Sequence, residues 1–259
     1  MGKIVSIHSF RGGTGKSNVT ANLAAQAALA SKRVGVVDTD IQSPGIHVLF
    51  GLDEKNMGKT LNDFLHDKCT IEEAAFSVGE NVSSAEGRKK LAGKDLWLIP
   101  SSIQAREISQ VLKEGIDFNH MNEGLQNAIR DLNLDYLFID THPGLNEETL
   151  LSIAISDILI IIMRPDDQDI QGTAVTVDVA RSLDVPNLLL LVNKALPKLD
   201  RVDLKERFEA IFQVPVAGIM PLTFDVAENA SKDLFALLKP DHEWSRELRK
   251  VAEAILSVP

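Results

Sequence analysis

Apolar residues in this chain gather in short continuous runs rather than alternating ones. Residues 4–7, 34–37, 96–99, 136–139, 158–163 and 188–192 each read as a strand, and 216–219 as a seventh. A strand that is apolar at nearly every position is buried on both faces. That places it in a parallel sheet between two layers of helices. Between the runs the apolar spacing changes to a helical period, as in 22–29, 103–112, 150–154, 202–211 and 242–257. Strand and helix in alternation make a βαβ series, so the expected class is α/β and doubly wound.

Residues 53–94 carry no strand signal. Leu61, Phe64 and Leu65, then Ile71, Ala74 and Ala75, suggest two short helices there. Residues 79–93 are polar and punctuated by glycine, which reads as a mobile surface loop. No internal repeat, low-complexity tract or domain boundary stands out, so residues 1–259 read as one domain.

Composition narrows the classes. With 259 residues, 44% hydrophobic and 25% charged, the chain suits one large globular domain. Met1-Gly2-Lys3 runs straight into the first strand and leaves no room for a signal peptide. Gly2 and Ser6 have the spacing of a myristoylation signal, but the strand that follows could not release its start. The apolar runs are too short to span a bilayer. A lone cysteine, Cys69, cannot close an internal disulfide, so a reducing cytoplasm is expected. The net charge of -10 excludes nucleic-acid binding over the whole surface and leaves a local basic patch open.

The chemistry begins after the first strand, in Phe10-Arg11-Gly12-Gly13-Thr14-Gly15-Lys16-Ser17. A glycine-rich turn before a helix is by itself a common loop. With Lys16-Ser17 and both flanking elements, it has the layout of a phosphate-binding P-loop. Its glycines let backbone N–H groups turn inward around an anion, and the following helix points its positive end at the same place. Lys16 would reach the β/γ-phosphates, and the Ser17 hydroxyl would ligate Mg²⁺.

Ligands of open parallel sheets sit at the carboxyl ends of the strands. Those ends carry Asp38 and Asp40, Asp140, and Asn193. Asp140 resembles a Walker B aspartate that holds Mg²⁺, although such a residue can also cap a helix. Asp38 and Asp40 can orient an attacking water and hold the metal's waters, or form a solvated turn. Asn193 can read a purine with its amide, or simply turn the chain.

These motifs together carry a resemblance. Arg-Gly-Gly-Thr-Gly-Lys-Ser, Val-Asp-Thr-Asp-Ile-Gln-Ser-Pro-Gly, Ile-Asp-Thr-His-Pro-Gly-Leu and Val-Asn-Lys resemble, in order, the motifs of the ParA/MinD family of deviant Walker-A ATPases. The wording of 38–51 is most similar to members that position carboxysomes. The resemblance implies seven or eight mostly parallel strands and a homodimer that sandwiches two ATP molecules. It implies that Gly12, Gly13, Thr14, Gly15, Lys16, Ser17 and Asn18 bind ATP. Ser17, Asp38 and Asp140 would serve Mg²⁺, Asp40 the water, residues 141–145 the γ-phosphate switch, and Asn193, Met220 and Pro221 the base. Arg11 stands where the family usually has a lysine that reaches across the dimer, and its planar guanidinium is a different tool. His142 stands where the family often has proline.

Some relatives are disfavoured. One cysteine cannot serve a paired-cysteine iron–sulfur cluster, and one tyrosine is no tyrosine cluster. The last helical stretch has Trp244, Leu248, Val251 and Ile255 on one face and mixed charges elsewhere, which favours docking onto the body over membrane insertion. Lys194, Lys198, Arg201, Lys205, Arg207, Lys232, Lys239, Arg246, Arg249 and Lys250 are candidates for non-specific DNA contact, interleaved with acids. The expectation is a cytoplasmic ATPase, nucleoid-associated with ATP, that positions a cargo through a small adaptor protein. A membrane-associated site-placement regulator and a nucleotide-gated scaffold with little turnover are the alternatives.

Overall fold

All seven expected strands form, and an eighth joins them. The computed structural model describes residues 2–259. The strands are β1 (Lys3–His8), β2 (Val34–Asp38), β3 (Phe76–Ser77), β4 (Leu96–Ile99), β5 (Tyr136–Asp140), β6 (Ile158–Met163), β7 (Leu188–Ala195) and β8 (Val216–Pro221). They make one sheet in the order β3-β4-β2-β5-β1-β6-β7-β8, parallel except where β3 meets β4. The strand β1 lies between β5 and β6, where the winding reverses. Reversal opens a crevice above the carboxyl end of β1, and that is where the glycine loop emerges.

The described residues form twelve helices, among them α2 (Ile46–Leu49), α5 (Ala105–Glu114) and α10 (Phe224–Asn229). Both faces of the sheet are covered, as continuous apolar strands require. On one face Val5, Ile7, Val36 and Phe138 pack with α1 (Lys16–Leu29). That helix is rich in alanine, and Ala21, Ala24, Ala25, Ala27 and Ala28 are buried. Small side chains let it lie close to the sheet and to its neighbours. Those neighbours are α11 (Phe235–Leu238), against α1, and α12 (Glu243–Ser257), which packs on both α1 and β8. From α12, Trp244, Leu248, Val251 and Ile255 are all buried, so the last helix docks on the body. Each such burial contributes roughly 1.5–3 kcal/mol relative to exposure. A Cβ on Gly218 would sit 2.6 Å from Val251 Cγ2, so the β8 glycine permits this approach.

The opposite face is covered in two halves. Ile4, Val37, Ile99 and Leu137 pack with α3 (Leu61–Leu65) and α6 (Phe118–Asp131). Leu159, Ile161, Leu190 and Val192 pack with α8 (Asp167–Ser182) and α9 (Arg201–Phe212). Between the halves, α7 (Glu147–Ala154) sits over β1, where Ser6 Oγ donates to the Ser152 carbonyl at 2.9 Å.

Residues 53–94 depart from expectation in three ways. The α3 helix forms, with a capping box between Thr60 and Asp63. The second helix, at Ile71, Ala74 and Ala75, does not. There Thr70 and Glu73 close a single turn by reciprocal bonds, Thr70 N to Glu73 Oε2 at 2.9 Å and Glu73 N to Thr70 Oγ1 at 3.3 Å. The chain then enters β3, whose two residues are too few to leave a pattern. Nor is 79–93 a loop throughout. It contains α4 (Ala85–Leu91), capped by Ser84 and anchored by its polar groups. Ser84 N donates to Asp233 Oδ2 at 2.6 Å, and Lys90 Nζ to the Leu237 carbonyl at 2.6 Å. No helix among the described residues is long and apolar enough to cross a membrane.

Candidate active site

The loop between β1 and α1 is shaped by its glycines and by β7. Gly13 and Gly15 have φ of 77° and 93°, which side chains disfavour. Asn193 Nδ2 donates to the Thr14 carbonyl at 2.7 Å, and Lys194 Nζ to the Gly13 carbonyl at 2.6 Å. Each carbonyl drawn toward β7 turns the N–H of its own peptide plane, that of Thr14 and that of Gly15, to the opposite side, as an anion-binding loop requires. A Cβ on Gly15 would stand 2.7 Å from Asn193 Nδ2, so only glycine fits beside this clamp. Lys194 itself takes φ 58° at an irregularity in the β7–β8 ladder. Bulges of this kind re-aim a side chain, here onto the loop. The α1 helix begins at Lys16 with no acid in its first turn, so its positive end is uncompensated.

Acids line the other side. Lys16 Nζ lies 3.1 Å from Asp140 Oδ1, with both side chains buried. Thr20 Oγ1 is 3.2 Å from the same oxygen. Asp38 and Asp140 are cross-strand neighbours on β2 and β5. Asp38 is fully buried and accepts bonds from Asp40 N at 3.0 Å and Gly45 N at 3.2 Å. Burial, then the charges of Asp140 and Asp40, pushes its carboxyl well above the usual range, against its bond from Asp40 N and the charge of Lys16. A cation would relieve this crowding. No group of three or more His, Cys, Asp or Glu among the described residues could hold a metal alone. One or two carboxylates plus a hydroxyl and phosphate oxygens is how Mg²⁺ is usually held, so Ser17, Asp38 and Asp140 fit a metal that arrives with nucleotide.

Asp40 lies just beyond β2. Its Oδ1 accepts from Ser43 N at 3.1 Å and pairs with His142 Nδ1 at 2.7 Å. His142 belongs to the loop after β5, which is tied down by Gly144 N on the Ser9 carbonyl at 3.1 Å. Beneath it, the buried His8 places Nδ1 2.9 Å from Thr141 Oγ1, which itself donates to the Ile7 carbonyl at 2.9 Å. Thr141 has spent its proton on Ile7, so Nδ1 of His8 must be the donor. Burial, then the charges of Lys16 and His142, lowers His8 to about 3, so it is a neutral strut under the loop. Glu148 is raised by burial, with His142 opposing and Asp40 adding to the shift.

A cavity of about 300 Å³ continues from the loop along β7 and β8, lined by Gly15, Asn18, Asn193, Lys194, Pro221, Leu222, Val226 and Trp244. Of the residues expected at the base, Asn193 and Pro221 line it, and Asn18, expected with the glycine loop, lines it too. Met220 does not: alternation along β8 turns it into the core beside α1 and α12, where it is fully buried. A larger cavity of 620 Å³, around Lys3, Lys32, Arg130 and Tyr136, lies at the opposite, amino-terminal end of the sheet and meets none of these groups.

Arg11 is brought to the loop but turned onto its own chain. Its Nη1 is 3.5 Å from Asp169 Oδ1 and 3.9 Å from Asp166 Oδ1, beside Arg164 on the same carboxylates. Among the basic candidates, Arg201 pairs with Glu243 at 2.7 Å, Lys239 with Asp225 at 3.0 Å, and Lys250 with Glu247 at 2.7 Å. Sequence reasoning did not single out Lys194 as a loop clamp, Thr20 beside Asp140, His8, or Trp244 at the cavity. The dipeptide Asn193-Lys194 after a buried strand was the available signal for the first. The others depend on which strands become neighbours.

A family model described as an AAA domain matches residues 2–184, including every phosphate-side motif. The chain belongs to the ParA/MinD family of ATPases. The septum site-determining protein MinD of Synechocystis is 27% identical over 224 residues, 85% of this chain and 76% of that one. Among solved structures, the septum site-determining protein MinD of Pyrococcus horikoshii, complexed with Mg-ADP, superposes with TM-score 0.82 at 20% identity, covering 99% and 97% of the two chains. A putative plasmid partition protein of Borrelia burgdorferi bound to AMPPNP gives 0.74 at 20% identity, covering 99% of each. The ParA/MinD fold thus spans the whole described chain.

Proposed function

We propose that this ParA/MinD protein is an ATP hydrolase whose nucleotide state switches homodimerisation and non-specific DNA binding, so that the dimer positions a cargo on the nucleoid. The observation that carries the reading is the crevice itself: the glycine loop and Lys16 on one side, and Asp38, Asp40 and Asp140 on the other. The loop N–H groups and Lys16 hold the phosphates, and the cavity along Asn18, Asn193 and Pro221 takes the base. Ser17, Asp38 and Asp140 would hold Mg²⁺ together with phosphate oxygens, and the ion would supply neutralisation of phosphate charge. Asp40 orients a water against the γ-phosphorus. As the new P–O bond forms, the bond to the bridging oxygen breaks, that oxygen leaves as ADP, and Asp40 takes the water's proton. Arg11, released from Asp166 and Asp169, reaches the partner's phosphates.

Dimerisation would bring two copies of Lys198, Arg207, Lys232, Arg246 and Arg249 together and make weak phosphate contacts additive. A small adaptor on the cargo, such as a carboxysome, would stimulate hydrolysis. A second reading, a membrane-associated regulator of site placement, draws on the relatives described as septum site-determining. A scaffold gated by nucleotide with little turnover is a third.

Asp40→Ala tests the reading. Loss of water activation should slow hydrolysis by at least about 10² while sparing ATP affinity. The ATP dimer should then persist and shift unrelated DNA sequences, with log affinity falling against log salt by about 0.9 per released contact. A trapped dimer that ignores DNA but sediments with anionic liposomes would replace the DNA reading with the membrane one. Phosphate release too slow to reset the dimer in the parent protein would favour the scaffold.

A further inference from the structure

The hydrogen bond between His142 and Asp40 joins the loops after β2 and β5 through their side chains, beside the bonds from Thr39 N and Oγ1 to the Asp140 carbonyl. Asp40 follows β2, and His142 lies in the segment after Asp140 on β5. The 2.7 Å contact from His142 Nδ1 and the 3.1 Å bond from Ser43 N fall on the same carboxylate oxygen, Oδ1. Two donors on one oxygen fix the plane of the carboxylate and leave Oδ2 for another partner. The His142 side chain is about one-fifth exposed and that of Asp40 less, so the bond forms in a partly desolvated place. There a charge-assisted bond is stronger than in open solvent. The His142 segment is tied down as well: Gly144 N donates to the Ser9 carbonyl at 3.1 Å, and Asn146 Oδ1 accepts from Thr149 Oγ1 at 2.6 Å.

We infer that His142 is a positioning residue for hydrolysis, holding Asp40 through Oδ1 so that Oδ2 faces the attacking water. The inference rests on Asp40 as the water-orienting group. It also gives the γ-phosphate switch a direct handle on the base: when residues 141–145 move, the carboxylate turns with them. Proline at position 142, as the family often has, can make no such bond, because its side chain carries no donor. This chain therefore has a contact between switch and base that proline-bearing members lack.

Single-turnover hydrolysis and ATP affinity in four variants decide the matter. His142→Ala should slow the bound-ATP step by on the order of 10-fold to 100-fold, the cost of a misplaced catalytic group, with unchanged ATP affinity. His142→Asn puts an amide Nδ2 where the imidazole Nδ1 stood, and should recover most of that rate. Asp40→Ala should be slow, and Asp40→Ala with His142→Ala should be no slower, because the bond is already lost. A slow Asp40→Ala with full-rate His142→Ala overturns this inference alone. So does a His142→Ala penalty that is equally large without Asp40, since a role in loop structure would persist there. A full rate in Asp40→Ala overturns the water-orienting role and this inference together.

Discussion

The two walls of the nucleotide crevice are built on opposite principles. The wall over β2 and β5 is charged, crowded and buried: Asp38, Asp40 and Asp140 face Lys16, and His142 and Glu148 stand behind. The wall over β7 and β8 has few charges near the loop. It works through an amide, one lysine and an apolar surface formed by Pro221, Val226 and Trp244. The first wall is electrostatically crowded, since burial and like charge both push Asp38 toward its neutral form. The second is internally hydrogen-bonded, with the Asn193 amide on the Thr14 carbonyl and the Lys194 N–H. The first wall favours a cation beside it, and the second is a rigid frame.

Lys16 is the group the two walls share, so its removal should have the largest effect. Lys16→Ala takes away the mobile cation of the cradle and leaves Asp140 and Asp38 with no buried counter-charge. Tight ATP binding should be abolished, and dimerisation and turnover with it, since a buried charge-assisted contact is lost. Calorimetry that finds the parent affinity would remove the P-loop assignment and with it the contrast between the walls.

Arg11 comes next and tests whether the charged wall is complete in one chain. In the single chain its guanidinium is held by Asp169 and Asp166, away from the crevice. If it swings to a partner's phosphates, Arg11→Ala should cost up to on the order of 10³ in hydrolysis rate, the scale of a transition-state arginine, while each chain still binds ATP. Dimerisation and turnover at parent levels would confine Arg11 to its contact with α8. Asp169→Asn, which loosens that contact, should then change neither property.

The difference between the walls also explains what was legible in the sequence. Unbroken runs such as 158–163 announce a doubly covered strand, and Gly13, Gly15, Lys16 and Ser17 announce an anion loop, because each depends only on local chemistry. The carboxylates at the ends of β2 and β5 could be placed near the loop from the rule for open sheets alone. Their pairing could not: Asp38 meets Asp140, and Asp40 meets His142, because β2 lies beside β5, a neighbour about a hundred residues away in the chain. Met220 shows the same limit, since one step of alternation decides between core and cavity. Residues 79–93 misled for a different reason. Ser84 and Lys90 are polar as surface residues are, but they spend their hydrogen bonds on Asp233 and the Leu237 carbonyl across a tertiary contact.

The smallest predicted effect sharpens the comparison most, because it asks whether Asn193 reads the base or props the loop. Both ends of its amide are engaged: Nδ2 donates to the Thr14 carbonyl at 2.7 Å, and Oδ1 accepts from Lys194 N at 2.9 Å. One N–H of Nδ2 remains for a purine. Asn193→Ala would leave the Thr14 carbonyl without this partner, a loss of about 1–3 kcal/mol for a buried acceptor. It would also free Lys194, whose unusual backbone angle is supported by the same amide. The loop would then populate the cradle less often, and every nucleotide triphosphate should lose affinity by a similar factor, about tenfold for each 1.4 kcal/mol. A base-reading role makes a different forecast: ATP would lose affinity and GTP would not, because their phosphates are identical. Titrating the variant with both nucleotides separates the two, and the ratio of affinities is the quantity to follow. An unchanged ratio with a common loss assigns Asn193 to the frame of the quiet wall. A ratio that collapses toward one would make that wall a reader of adenine, and the rigid scaffold for the phosphates would then rest on Lys194 and the glycines.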